Sequence, residues 1–188
     1  MNFNYLPKQY KKNKSININH SYLVEQFSDY KKIFKKLEKV VKRADYTLGE
    51  EVNRFEKNLS SRMNSKYAIS VGNGTDALFL VLKALNIGPG DEVITTPYTF
   101  IATVASIVTS GAKPVFVDIK NDYNIDENKI QKAITKKTKA IMAVNWSGRP
   151  CELDKILKIA KKNKIRFIQD ACHSIDSKFK NGSIVKYA

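Results

Sequence analysis

Beyond Lys66 the chain changes its hydrophobic rhythm, and that change restricts the possible folds more than any other feature of its 188 residues. Short apolar runs near residues 67–71, 92–95, 114–118, 139–144 and 165–169 alternate with stretches whose apolar residues recur at helical spacing. Runs rich in Ile and Val, apolar on both faces, suit strands buried under helices on each side. The expected fold is therefore α/β, a mostly parallel sheet with helices on both faces. Ahead of it, residues 1–18 are rich in Asn and Lys without apolar period and read as an N-terminal arm. Residues 19–64 carry two helix patterns. The first, Tyr22–Ala44, places Ile33, Leu37, Val40 and Val41 on one stripe, and the second, Gly49–Asn64, does the same with Val52, Phe55 and Leu59. The sheet region then fills residues 65–188.

A chain with 43% hydrophobic residues at this length can bury one sizeable core. No apolar run approaches the roughly 20 residues of a membrane helix, and Met1–Lys14 is basic and polar without a signal-peptide core, so a cytoplasmic location and no membrane partner are expected. The net charge of +15 raises the possibility of a nucleic-acid partner, but five of the 33 basic residues are arginines and the lysines, such as Lys31, Lys32, Lys35, Lys36 and Lys39, spread over helix faces without interleaved aromatics. That pattern reads as a solvated lysine surface rather than a nucleic-acid site. Cys151 and Cys172 lie in separate elements with no C-x-x-C partner and are expected as free thiols. Cys172-His173 lacks the further ligands a metal would need, so no metal is expected.

Open parallel sheets bind ligands beyond the carboxyl ends of their strands. The first such corner is Gly72-Asn73-Gly74-Thr75-Asp76-Ala77, between the run Tyr67–Val71 and a helical pattern with Leu78, Leu82 and Leu85. Glycines let backbone approach a ligand closely, and the free N–H groups of a helix start favour an anion, so a phosphorylated ligand is the first expectation. The same residues fit G-x-G-x-x-A, the dinucleotide pattern, although the next strand, Val93–Thr96, ends without the acidic residue that a ribose requires. The corner alone leaves the cofactor open.

The block Gly88–Thr103, GPGDEVITTPYTFIAT, resembles the DegT/DnrJ/EryC1/StrS aminotransferases almost word for word. Further blocks follow in order: Gly111–Asp118, Tyr123–Asp126, Thr138–Ile141, Gly148–Asp154 and Gln169–His173. The resemblance covers roughly residues 16 to 182. It implies the large domain of a pyridoxal 5'-phosphate-dependent transferase of the aspartate aminotransferase-like type, present in its N-terminal part. It also implies a nucleotide-linked keto-sugar as substrate, an amino donor such as glutamate, and a homodimer. Attraction of such anionic substrates is compatible with the positive charge.

Carried onto this chain, the resemblance implies cofactor contacts from Gly74, Thr75, Asp76, Phe100, Asp170 and His173. Asp170 matches the acid that pairs with the pyridine nitrogen, where a carboxylate keeps that nitrogen protonated and the ring electron-accepting. Phe100 matches the aromatic that stacks on the ring. Gly74, Thr75 and Asp76 match the phosphate cradle, though Thr and Asp also serve as ordinary helix caps. His173 matches a residue near the ring hydroxyl, and Gln169 stands where a glutamate is usual. Trp146 and Arg149 belong to a block near the sugar side in relatives, and both equally suit packing and surface roles. The family's cofactor-binding lysine follows a Ser-x-x-x-x-Lys stretch that this chain, ending at Ala188, does not contain. None of Lys178, Lys180 or Lys186 has the matching context, so no catalytic residue is assigned and inactivity of the chain alone is expected. The alternatives are the family's dehydratase branch, with histidine in place of that lysine, or a non-catalytic module that binds phosphate ligands or pairs with a relative.

Overall fold

The computed structural model describes residues 23–187, so the expected arm at residues 1–18 lies outside the described residues. The chain divides into two compact units after Glu50. In the first, α1 (Leu23–Gln26) and α2 (Tyr30–Arg43) replace the single helix expected over Tyr22–Ala44. The break at residues 27–29 contains Ser28 and Asp29, whose short polar side chains compete for backbone groups and disfavour helix interiors. α2 stops at Ala44, which adopts a left-handed conformation with φ 54° and returns its N–H to the Val41 carbonyl.

The second unit contains α3 (Glu50–Met63, apart from its first residue) and the alternating region. Glu56 Oε1 accepts the Ser70 N–H at 2.6 Å, Ser183 Oγ donates to the Met63 carbonyl at 3.0 Å, and Arg62 Nε meets Asp176 at 2.7 Å. The sheet consists of β1 (Glu92–Thr95), β2 (Lys113–Phe116), β3 (Thr138–Val144) and β4 (Arg166–Asp170), all parallel, in the order β2-β1-β3-β4. Between them lie α4 (Gly74–Ala84), α5 (Ile101–Ser110), α6 (Glu127–Ala133) and α7 (Leu153–Asn163).

Alternation along the strands sorts the core into two layers. Val93, Ala140, Met142 and Ile168 cluster with Leu82 of α4 and Ile107 of α5. Their neighbours Ile94, Ile141 and Ala143 cluster with Ile130 of α6 and with Leu153 and Ile156 of α7. Successive strand residues point to opposite faces, so the unbroken apolar runs Val93-Ile94 of β1 and Ala140–Val144 of β3 serve both layers. Helices on both faces of a parallel sheet are thus the observed α/β architecture.

Four of the five expected strands form. The fifth, Tyr67–Val71, does not: its backbone joins no ladder, and Tyr67 and Ile69 are exposed. An apolar run marks a segment that can be buried, but a strand also needs a hydrogen-bonding neighbour, and this segment pairs with no strand among the described residues. A small antiparallel pair, β5 (Lys178–Phe179) with β6 (Gly182–Ser183), was not anticipated from the pattern because two-residue strands carry no period.

Glu127, in the first turn of α6, is 4% exposed, with Lys155 Nζ at 3.0 Å and Lys120 Nζ at 2.8 Å. Burial alone would raise its pKa, but the two lysines outweigh burial and hold the carboxyl below its ordinary value. A depressed carboxyl stabilises the fold above the unfolded pKa of about 4.3 and loses that contribution as pH falls through the folded value. We expect Glu127→Gln to be less stable than wild type at pH 7 and to lose less further stability on acidification below about pH 4. Urea unfolding at both pH values measures the difference.

Candidate functional site

Because β1, β3 and β4 run parallel, their carboxyl ends open on one rim of the sheet. A cavity of about 230 Å³ lies there, lined by Gly74, Thr75, Phe100, Asp170 and His173 together with Trp146. It gathers five of the six residues singled out from the sequence, across nearly a hundred chain positions.

Asp170 is the last residue of β4 and 6% exposed. It shares its side of the strand with Ile168, so it faces α4 and α5, while Gln169 faces the other layer. There Gln169 Nε2 donates to the Ile184 carbonyl at 2.9 Å, so its amide is engaged away from the cavity. The Asp170 carboxylate accepts a hydrogen bond on each oxygen, from Thr103 Oγ1 at 2.8 Å and from the Cys172 N–H at 3.3 Å. Thr103 is fully buried and lies 2.9 Å from Thr99 Oγ1, one turn back.

At the other corner α4 begins at Gly74, capped by Asn73, whose Oδ1 accepts the Asp76 N–H at 2.9 Å. The amides of Gly74 and Thr75 have no partner among the described residues and belong to the cavity wall. A Cβ on Gly74 would lie 3.0 Å from Cys172 Sγ, so a bare backbone is what lets this corner close against the end of β4. Asp76 does not line the cavity. Its carboxylate accepts from Asn73 Nδ2 at 3.0 Å and lies 2.5 Å from where a Cβ of Gly72 would stand. The cap that the sequence left open between Thr75 and Asp76 is thus Asn73, and Asp76 buttresses it.

Phe100 precedes α5 and is 66% exposed, an apolar ring held at the cavity mouth. His173 Nδ1 accepts the Ser147 N–H at 3.4 Å, which leaves Nε2 as the protonated nitrogen of the neutral ring. Its ring stands edge-on to Trp146 at 5.3 Å, and Trp146 in turn meets Tyr98 at 4.9 Å. Trp146 therefore lines the cavity, whereas Arg149 is exposed, 3.7 Å from Asp122. Asp118, two residues beyond the outer strand β2, is also outside the cavity and 3.4 Å from Lys129.

Sequence reasoning missed the supports. Thr99 and Thr103 have a legible signal, a polar pair at i, i+4 in an otherwise apolar stretch. Asn124 has none: its Oδ1 accepts the Trp146 N–H at 2.9 Å and its Nδ2 donates to the Arg149 carbonyl at 3.2 Å, fixing the turn that carries Trp146. Asn145 likewise holds the Cys151 N–H at 3.0 Å and Ser174 Oγ at 3.2 Å. Burial, then the hydrogen bond with Asp170, pushes the Cys172 thiol up to about 11, and burial pushes Cys151 up to about 12, so both stay protonated and weakly nucleophilic near neutral pH. Among the described residues no cluster of His, Cys, Asp and Glu is arranged to hold a metal, and no helix is long and apolar enough to cross a membrane.

A sequence profile of the DegT/DnrJ/EryC1/StrS aminotransferase family matches residues 28–188. The chain is 41% identical over 165 residues to a pleiotropic regulatory protein of Geobacillus stearothermophilus, covering 87% of this chain and 44% of that one. It is 43% identical over 145 residues to the UDP-2-acetamido-2-deoxy-3-oxo-D-glucuronate aminotransferase of Pseudomonas aeruginosa, covering 77% and 40% respectively. Its fold superposes on the crystal structure of NtdA from Bacillus subtilis with bound cofactor PMP at a TM-score of 0.83 and 33% identity, over 94% of this chain and 41% of that one. It therefore spans less than half the length of each of these relatives. Taken with the site at the sheet's carboxyl rim, these matches show that the chain belongs to the DegT/DnrJ/EryC1/StrS aminotransferase family.

Proposed function

We propose that the cavity binds pyridoxal 5'-phosphate or its amino form, and that the chain serves transamination of a nucleotide-linked keto-sugar. One observation carries this reading: a buried carboxylate, Asp170, and a helix start with free amides, at Gly74 and Thr75, line the same small cavity. The residues fit the group. An ester phosphate suits the two amides and the positive end of α4, and the absence of a side chain at Gly74 leaves room for close approach. A pyridinium N–H suits Asp170, whose carboxylate stabilises the protonated ring nitrogen and has both oxygens already oriented. Phe100 offers an apolar face that excludes water, and His173 offers a donor from Nε2. When bound, the cofactor supplies an electron-accepting ring that carries the amino group between donor and sugar.

The substrate class is supported by the name of the Pseudomonas relative. Glutamate as amino donor and a cytoplasmic setting belong to the same reading. A homodimer is supported by Phe100 and Ile101, exposed apolar residues beside the cavity. We assign the cofactor-binding lysine to none of the described residues.

Trp146 is the only tryptophan in the chain and lies in the cavity wall, which makes it an intrinsic reporter. Titration with pyridoxamine 5'-phosphate, which needs no lysine, should quench its fluorescence to a plateau, and inorganic phosphate at high concentration should compete. An unchanged emission spectrum at millimolar ligand would refute the cofactor reading.

A further inference from the structure

We propose that Thr99 and Thr103 form a one-way hydroxyl relay that positions Asp170, and that Thr103 is the positioning residue on which recognition of the cofactor's ring nitrogen depends. The direction follows from the chemistry of its end. A carboxylate only accepts, so the Thr103 hydroxyl must donate to Asp170 Oδ2 across 2.8 Å. Its single proton is then committed, and the 2.9 Å contact with Thr99 is made by the Thr99 hydroxyl donating to Thr103 Oγ1. Each oxygen in such a chain is polarised by the next. Thr103 is fully buried, so water cannot replace the bond if the hydroxyl is removed.

Two consequences follow. The carboxylate is oriented from α5 by Thr103 and from its own strand exit by the Cys172 amide and thiol. Thr99 also lines the cavity, and its hydroxyl proton is committed to Thr103. The other titratable side chains at this rim are the Cys172 thiol and His173 after β4, and Asp76 at the start of α4, which is engaged with Asn73.

The functional part of this proposal rests on the cofactor reading, so its test has two arms. In proton NMR of the unliganded chain, the Thr103 hydroxyl should give a resolved, slowly exchanging resonance that persists in Thr99→Val. Exchange as fast as that of surface hydroxyls would overturn the relay whatever binds. In the second arm, Trp146 fluorescence compares pyridoxamine 5'-phosphate with its carbocyclic analogue, which has C–H in place of the ring nitrogen. Wild type should prefer the pyridine, Thr103→Val should lose about 10-fold of that preference, and Thr103→Ser should restore it. Equal preference in Thr103→Val and wild type overturns the proposal, as does failure of the serine to rescue. Absence of any preference in wild type instead sinks the cofactor reading, while the hydroxyl resonance still decides the relay. Should Thr103→Val not fold, as judged by thermal unfolding, Thr99→Val carries the comparison with an expected loss of about 3-fold.

Discussion

Asp170→Asn is expected to weaken pyridoxamine 5'-phosphate binding by about 100-fold, the equivalent of roughly 3 kcal/mol for one charge-assisted hydrogen bond in a desolvated site. The shape of the site survives the change. An asparagine can accept the Cys172 N–H on its oxygen and donate from its amide to Thr103 Oγ1, with the Thr103 hydroxyl turned toward Thr99. What is lost is the negative charge opposite the ring nitrogen. The loss should therefore appear in fluorescence titration with the thermal midpoint nearly unchanged, and the carbocyclic analogue should bind mutant and wild type alike. A mutant that kept wild-type affinity for the pyridine compound would remove Asp170 from the cofactor's recognition.

The largest expected stability loss comes from the sheet's interior. Ile141 is fully buried in β3, between β1 and β4, and packs with Ile94, Ile130, Leu153 and Ile156. Ile141→Ala should destabilise by about 2–5 kcal/mol, since it removes buried methyl groups and leaves a cavity that a strand paired on both sides cannot close. Against a typical total of about 5–15 kcal/mol, that is a large fraction. Urea denaturation should show a lower midpoint with unchanged slope, and Ile141→Val should cost only about 0.5–1.5 kcal/mol. An alanine variant within 0.5 kcal/mol of wild type, on the order of the effect of an ordinary surface change, would mean that the two-layer core does not surround β3.

The elements differed in legibility for identifiable reasons. The doubly buried strands β1 and β3 are legible because a strand serving two helix layers carries an unbroken apolar stretch, here Val93-Ile94 and Ala140–Val144. Tyr67–Val71 shows the converse, since an apolar run does not by itself supply a pairing neighbour. The break within the first helix pattern was written in Ser28 and Asp29, though apolar spacing on either side concealed it.

Five of the six expected site residues line one cavity because parallel strands bring their carboxyl ends to a common rim, a consequence of topology that follows from the strand-helix alternation. Asp76 is the exception, turned to Asn73 and Gly72 at the helix start. The supports Asn124, Asn145 and Thr103 each reach a partner 22 to 67 residues away, at Trp146, Ser174 and Asp170, and no local pattern encodes such a partner.

By itself the sequence determined the architecture and the chemical inventory, since burial periodicity and the residue types available at strand ends are local properties of a chain. Tertiary structure alone decided the direction of each polar group: which side of β4 carries Asp170, which hydroxyl holds it, and which amides at the start of α4 remain free. The physical reason is that a hydrogen bond requires a partner within about 3 Å at a suitable angle, and only the packed sheet and helices set that geometry.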